Sequence, residues 1–109
     1  MNVQIRAKDV KLTESVRAHI ESAIDAFTKF NLDITTVNAI VAAEKKGVNV
    51  EFDIHIAHAQ PVVISQSDEV LDAAIDLAID RASKALRRLH TKMVETQKTS
   101  VRDLETLDA

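Results

Sequence analysis

No cysteine occurs among the 109 residues, and there is one glycine and one proline. Without cysteine the chain has no disulfide frame, no thiolate zinc site and no cysteine nucleophile, and a reducing, cytoplasmic setting is expected. A single glycine excludes the Gly-rich phosphate loops of P-loop and dinucleotide-binding proteins, which need several for close backbone approach. Tryptophan and tyrosine are absent, and three phenylalanines make up the whole aromatic complement. That removes the stacking platforms that read unpaired bases. No uninterrupted apolar run approaches the ~20 residues that span a bilayer, and the opening MNVQIRAKDV lacks the basic-then-apolar layout of a secretion signal. The expectation is a soluble protein with no membrane partner.

What is present is an ordinary globular composition, 46% hydrophobic and 28% charged, on a chain long enough for one core and too short for two. The net charge of −3 argues against a uniformly basic nucleic-acid binder. Binding depends on where charge sits, however, and not on its sum.

The period of the hydrophobic pattern changes along the chain in a readable order. Val3 to Ala7 alternates apolar with polar residues and predicts a short strand. Leu12 and Thr13 look like a staple residue and an N-cap, opening a helix to about Phe30 whose apolar set is Val16, Ile20, Ala23 or Ile24, Phe27 and Phe30. The β-branched run from Ile34 predicts a second strand ending near Glu44, and Lys45, Lys46 and Gly47 form the turn. Val48 to Ile56 alternates most cleanly of all. After a turn at Ala59, Gln60 and Pro61, Val62 to Gln66 predicts a fourth strand leading into Ser67 and Asp68 as helix caps.

A helix then spans Asp68 to Met93. The order strand, helix, three strands, helix predicts an α+β fold: a two-layer β-α-β-β-β-α sandwich whose four-stranded mixed sheet carries both helices on one face. Residues 1–93 form the domain, and 94–109 are expected to be a flexible tail.

The last helix carries three faces. Leu71, Ile75, Ala78, Ala82, Leu86, Leu89 and Met93 make an apolar stripe; Asp72, Asp76 and Asp80 lie on one flank, and Arg81, Lys84, Arg88 and Lys92 on the other. Asp68 to Asp80 holds five acids and no base, and Arg81 to Met93 five bases and no acid. This polarity suits the helix dipole and is explained by it alone if the charged faces are merely solvated. The alternative is an anion-binding ridge, since cations at steps of three, four and four can follow a phosphate backbone. The candidate phosphate-binding residues are Arg81, Lys84, Arg87, Arg88 and Lys92.

Other chemistry fits poorly. His19, His55, His58 and His90 lack metal-ligand spacing, and His55 and His58, three apart on a strand, would face opposite ways. A straight stripe of three aspartates lacks the wrapped oxygen cage that calcium needs. Ser65, Ser67 and Ser83 have no neighbouring base or nucleophile elbow. Neither an enzyme nor a cofactor or metal site is expected, and the second reading is a protein-interaction module using the acidic flank of the last helix or the polar sheet face.

The segment DAAIDLAIDRASKALRRLHTK, with Ala73, Ala74, Ile75, Asp76, Asp80, Leu86 and the bases Arg81, Lys84, Arg88 and Lys92 in register, resembles the signature of the ribosome hibernation-promoting factor and ribosome-associated inhibitor family. The opening RAKDVKLTESVR, with Thr13 and Arg17 in register, resembles the same family, so the likeness spans residues 1 to about 93. Ala23 and Ala26 stand where the family carries first-helix bases, and His90 where Lys is usual. The chain as it stands resembles the short members, which have no C-terminal dimerising domain.

The resemblance implies a stationary-phase or stress factor that inhibits translation by occupying the messenger and transfer RNA channel of the small ribosomal subunit. Its partners would be that subunit with its ribosomal RNA and a ribosome-dimerising modulation factor.

Overall fold

The structure, a computed structural model, describes residues 1–93 in full; the tail expected over 94–109 lies outside the described residues. The chain runs β1 (Asn2–Lys8), α1 (Glu14–Phe27), a 3-10 turn (Thr28–Phe30), β2 (Ile34–Glu44), β3 (Gly47–Ile56), β4 (Val62–Asp68) and α2 (Leu71–Asp108). The strands lie side by side in sequence order. β1 and β2 are parallel, as a helical crossover requires, while β2–β3 and β3–β4 are antiparallel across short turns. The mixed sheet and two-layer α+β architecture are those expected.

One sheet face is covered by both helices. The buried set takes Ile20, Ile24 and Phe27 from α1, Val37, Ala39 and Val41 from β2, Val50, Phe52 and Ile54 from β3, and Ala74, Ile75, Ala78, Ala82 and Leu86 from α2. The rings of Phe27 and Phe52 meet edge to face at 5.6 Å and 86°, a geometry worth about 0.5–1.5 kcal/mol beyond the area it buries. Ala74, Ala78 and Ala82 are wholly buried, and their short side chains let α2 lie close over the sheet. Ala74 is a member of the buried stripe that the hydrophobic spacing does not single out.

Local details depart from the sequence reading where hydrogen bonding competes with pattern. Thr13 caps α1 as expected, its hydroxyl accepting from the Val16 N–H at 3.2 Å. The helix proper stops at Phe27; Phe30 belongs to the 3-10 turn, closed by Asn31 in the left-handed conformation at φ 59°. Ser67 and Asp68 are not helix residues but the end of β4, paired with Asn49 and Val48. α2 therefore starts three residues later than expected. Asp68 still serves the junction, since its carboxylate accepts from the Val70 N–H at 3.0 Å, and the Val70 carbonyl accepts the first helical bond from Ala74.

Gly47 is required by close approach. A Cβ there would collide with the Asp68 main-chain oxygen and the Glu69 Cα, and its φ of 152° disfavours other residues. Val3, expected on the half-buried face of β1, is 38% exposed because β1 is an edge strand with little of the helix layer over it. His58 sits in the β3–β4 turn at φ 62°, not on the strand. Among the described residues no helix is long and apolar enough to cross a membrane.

Candidate nucleic-acid interface

α2 packs chiefly on β4 and β3, and α1 lies beside it on the same sheet face. That arrangement gives the two flanks of α2 different neighbours. The acidic flank looks toward α1: the Asp76 carboxylate meets the His19 imidazole at 2.9 Å, and Asp72 and Asp76 share an inter-helix crevice of ≈ 330 Å³ with Ser15, Val16 and His19. The basic flank looks toward the outer edge of β4 and solvent. Opposite charges on α2 are thus largely segregated around the helix as well as along it, and they meet where Asp80 lies beside Lys84.

The five candidate cations do not behave alike. Arg81 reaches over β4 and donates through one guanidinium nitrogen to the Ser65 main-chain oxygen at 2.7 Å and to the Gln66 side-chain oxygen at 3.0 Å. Both acceptors are neutral, so the guanidinium is oriented without losing its charge. Lys84 pairs with Asp80 one turn back at 3.0 Å, with both side chains more than half exposed. Such an exposed i,i+4 pair is worth only about 0.3–0.5 kcal/mol and exchanges readily for another anion. Arg88 is exposed and has no partner among the described residues. Lys92 is exposed one turn further on.

At about 100° per residue these four fall within an arc of roughly 80° and along about 16 Å of axis. Arg87 is different: one residue from Arg88, it points about 100° away and lies over the Phe30 ring at 5.9 Å, tying α2 to the 3-10 turn after α1. The cation–π contact gives it a structural role on the opposite flank.

The structure also joins residues that the sequence leaves apart. His19 reads as an ordinary surface histidine, and nothing local signals its contact with Asp76, 57 positions away. Both are largely exposed, so water screens the pair. The open sheet face carries a polar network in which Ser65 and Ser67 donate to the Asn49 side-chain oxygen, Ser67 also approaches Glu44, and His55 meets Asp53 at 3.2 Å. Among the described residues no group of three or more His, Asp or Glu side chains is placed to hold a metal ion.

Residues 3–94 match the family model described as Sigma 54 modulation protein / S30EA ribosomal protein. A ribosome hibernation promoting factor of Azotobacter vinelandii is 30% identical over 97 residues, covering 89% of this chain and 90% of that protein. Two solved structures share the fold at a TM-score of 0.71 each. The crystal structure of the Thermus thermophilus Protein Y N-terminal domain is 20% identical, covering 82% of this chain and 99% of its own. A ribosomal subunit interface protein from Coxiella burnetii is 12% identical, covering 84% and 99%.

Proposed function

The chain belongs to the Sigma 54 modulation protein / S30EA ribosomal protein family, and from that premise we propose that it is a ribosome-associated hibernation factor that works by occupancy and not by catalysis. It binds ribosomal RNA of the small subunit in the channel used by messenger and transfer RNA, and it does so in the cytoplasm under stress or in stationary phase. A ribosome-dimerising modulation factor is a further partner on this reading.

The supporting observation is the line Arg81, Lys84, Arg88 and Lys92. Arg81 is held by neutral oxygens, Lys84 is held by one weak exposed pair, and Arg88 projects from α2 with no carboxylate against it among the described residues. A row of this kind can exchange condensed counterions for contacts with successive phosphates, the sequence-independent grip that a chain so poor in aromatics requires. Arg87 contributes by fixing α2 against the 3-10 turn, and its own charge points to the other flank.

Co-sedimentation with purified ribosomes tests the reading. The protein is expected to pellet with ribosomes at low ionic strength and to be released as salt rises. Reversal of Arg81, Lys84, Arg88 and Lys92 to Glu should abolish pelleting while circular dichroism stays native. Pelleting that survives the four reversals would falsify the ridge and leave the acidic flank or the sheet face as the binding surface.

A further inference from the structure

The two edges of the sheet are finished differently. At β4, Arg81 crosses from α2 and binds the Ser65 main-chain oxygen, fastening the helix over that strand. At β1, no side chain among the described residues bonds to the main chain. Beside it runs a groove of about 350 Å³, lined by Val3, Ile5 and Ile24 and rimmed by Arg17, Glu21 and Asp25 of α1. Met1 and Val3, at 58% and 38% exposure, are two of the few large apolar residues left in water. An uncovered strand edge with an apolar groove next to it is a template for another strand.

We propose that this edge is a self-association surface, on which a second copy of the chain docks β1 against β1, antiparallel, about a twofold axis through Val3. The register follows from the side chains of β1. Centring on Val3 sets Val3 against Val3 and Ile5 against Met1 on the groove side, and Asn2 against Gln4 on the open face; Arg6 and Lys8 fall outside the paired stretch, so no like charges oppose each other across the strands.

The helices agree with that register. Because β1 and β2 are parallel, α1 runs back antiparallel to β1. Arg17, Glu21 and Asp25 line the same groove as Ile5, Val3 and Met1. The 12 Å or so from Arg17 to Asp25 along the helix matches the roughly 13 Å from Ile5 to Met1 along the strand, which sets Glu21 about level with Val3. About an axis at that level, Arg17 of each copy faces Asp25 of the other across the joined grooves. Glu21 against Glu21 is the one unfavourable pair. Two four-stranded sheets join into one of eight strands, and both Arg81–Lys92 ridges remain uncovered at its far ends.

Sedimentation equilibrium of the full chain tests the proposal. A monomer–dimer equilibrium is expected, weakened roughly tenfold or more by Val3→Lys, which buries two cations on the axis. Arg17→Asp should weaken it, Arg17→Asp with Asp25→Arg should restore it, and Glu21→Gln should tighten it. Arg88→Glu should leave it unchanged, which separates this surface from the RNA ridge. Monomer mass at every concentration up to about 1 mM, the range of the weakest specific pairings, overturns the proposal. So does a dimer indifferent to both Val3→Lys and Arg17→Asp. Should Val3→Lys fail to fold, the Arg17 and Asp25 exchange, at two exposed positions, is sufficient alone to uphold or overturn it.

Discussion

The two flanks of α2 carry opposite charge, and they are used in opposite ways. On the flank toward α1, Asp76 is engaged by His19 and Asp72 lines the crevice between the helices, so two of its three acids sit at an intramolecular seam, while Asp80 pairs with Lys84. On the flank toward β4, Arg81 is held by neutral oxygens and Arg88 has no partner among the described residues, so positive charge is presented outward. The contrast shows why net charge misleads for this chain. A total of −3 coexists with a four-cation line, because the acids that outnumber the bases lie elsewhere on the surface.

The contrast is broken most severely by reversing the basic flank. Arg81→Glu, Lys84→Glu, Arg88→Glu and Lys92→Glu together should weaken ribosome binding by about 100-fold or more at low salt, measured by co-sedimentation, while the matching change of Asp72, Asp76 and Asp80 to Asn should not. Next in size is the seat common to both flanks. Leu86→Ala, at a wholly buried position, should cost about 2–5 kcal/mol of stability in denaturant titration and lower the occupancy of both surfaces together.

The two adjacent arginines separate the flanks more finely. Arg88→Ala should leave the unfolding midpoint in place and reduce ribosome affinity, whereas Arg87→Ala, which removes the contact with Phe30, should cost about 0.5–1 kcal/mol of stability and leave binding nearly intact. The smallest effect is expected from Asp76→Asn. The His19 contact is exposed on both sides, so chemical denaturation should register less than about 1 kcal/mol.

Much of this fold is legible because local pattern and tertiary burial agree. The alternation from Val48 to Ile56 reads directly as β3, and the steps of three and four through Ile75, Ala78, Ala82 and Leu86 give the buried stripe of α2. Thr13 announces the start of α1 by its own hydrogen bond. The start of α2 is misread for a physical reason. Ser67 and Asp68 carry good capping side chains, but ladder bonds to Asn49 and Val48 hold them in β4, and a strand partner some 18 or more positions back along the chain leaves no local trace.

The candidate site is legible to a lesser degree. Spacing alone identifies Arg81, Lys84, Arg88 and Lys92 as one line. It cannot reveal that Arg81 is anchored by β4, that Asp76 meets His19, or that Phe30 engages Arg87, because each of these depends on which element packs beside α2. Gly47 is a similar case. It reads as a turn residue, while the close passage of Asp68 and Glu69 over its α-carbon emerges only from the packed sheet.

The claim on which the functional reading rests is that the basic flank of α2 lies against phosphates. The salt dependence of ribosome affinity measures it most directly, because each phosphate contact releases condensed counterions and contributes about 0.7–0.9 to the slope of log affinity against log salt. For four contacts the slope should be roughly −3 to −4, and Lys84→Ala and Arg88→Ala should each make it shallower by about one. A slope near zero, or one that the two substitutions leave unchanged, contradicts the account.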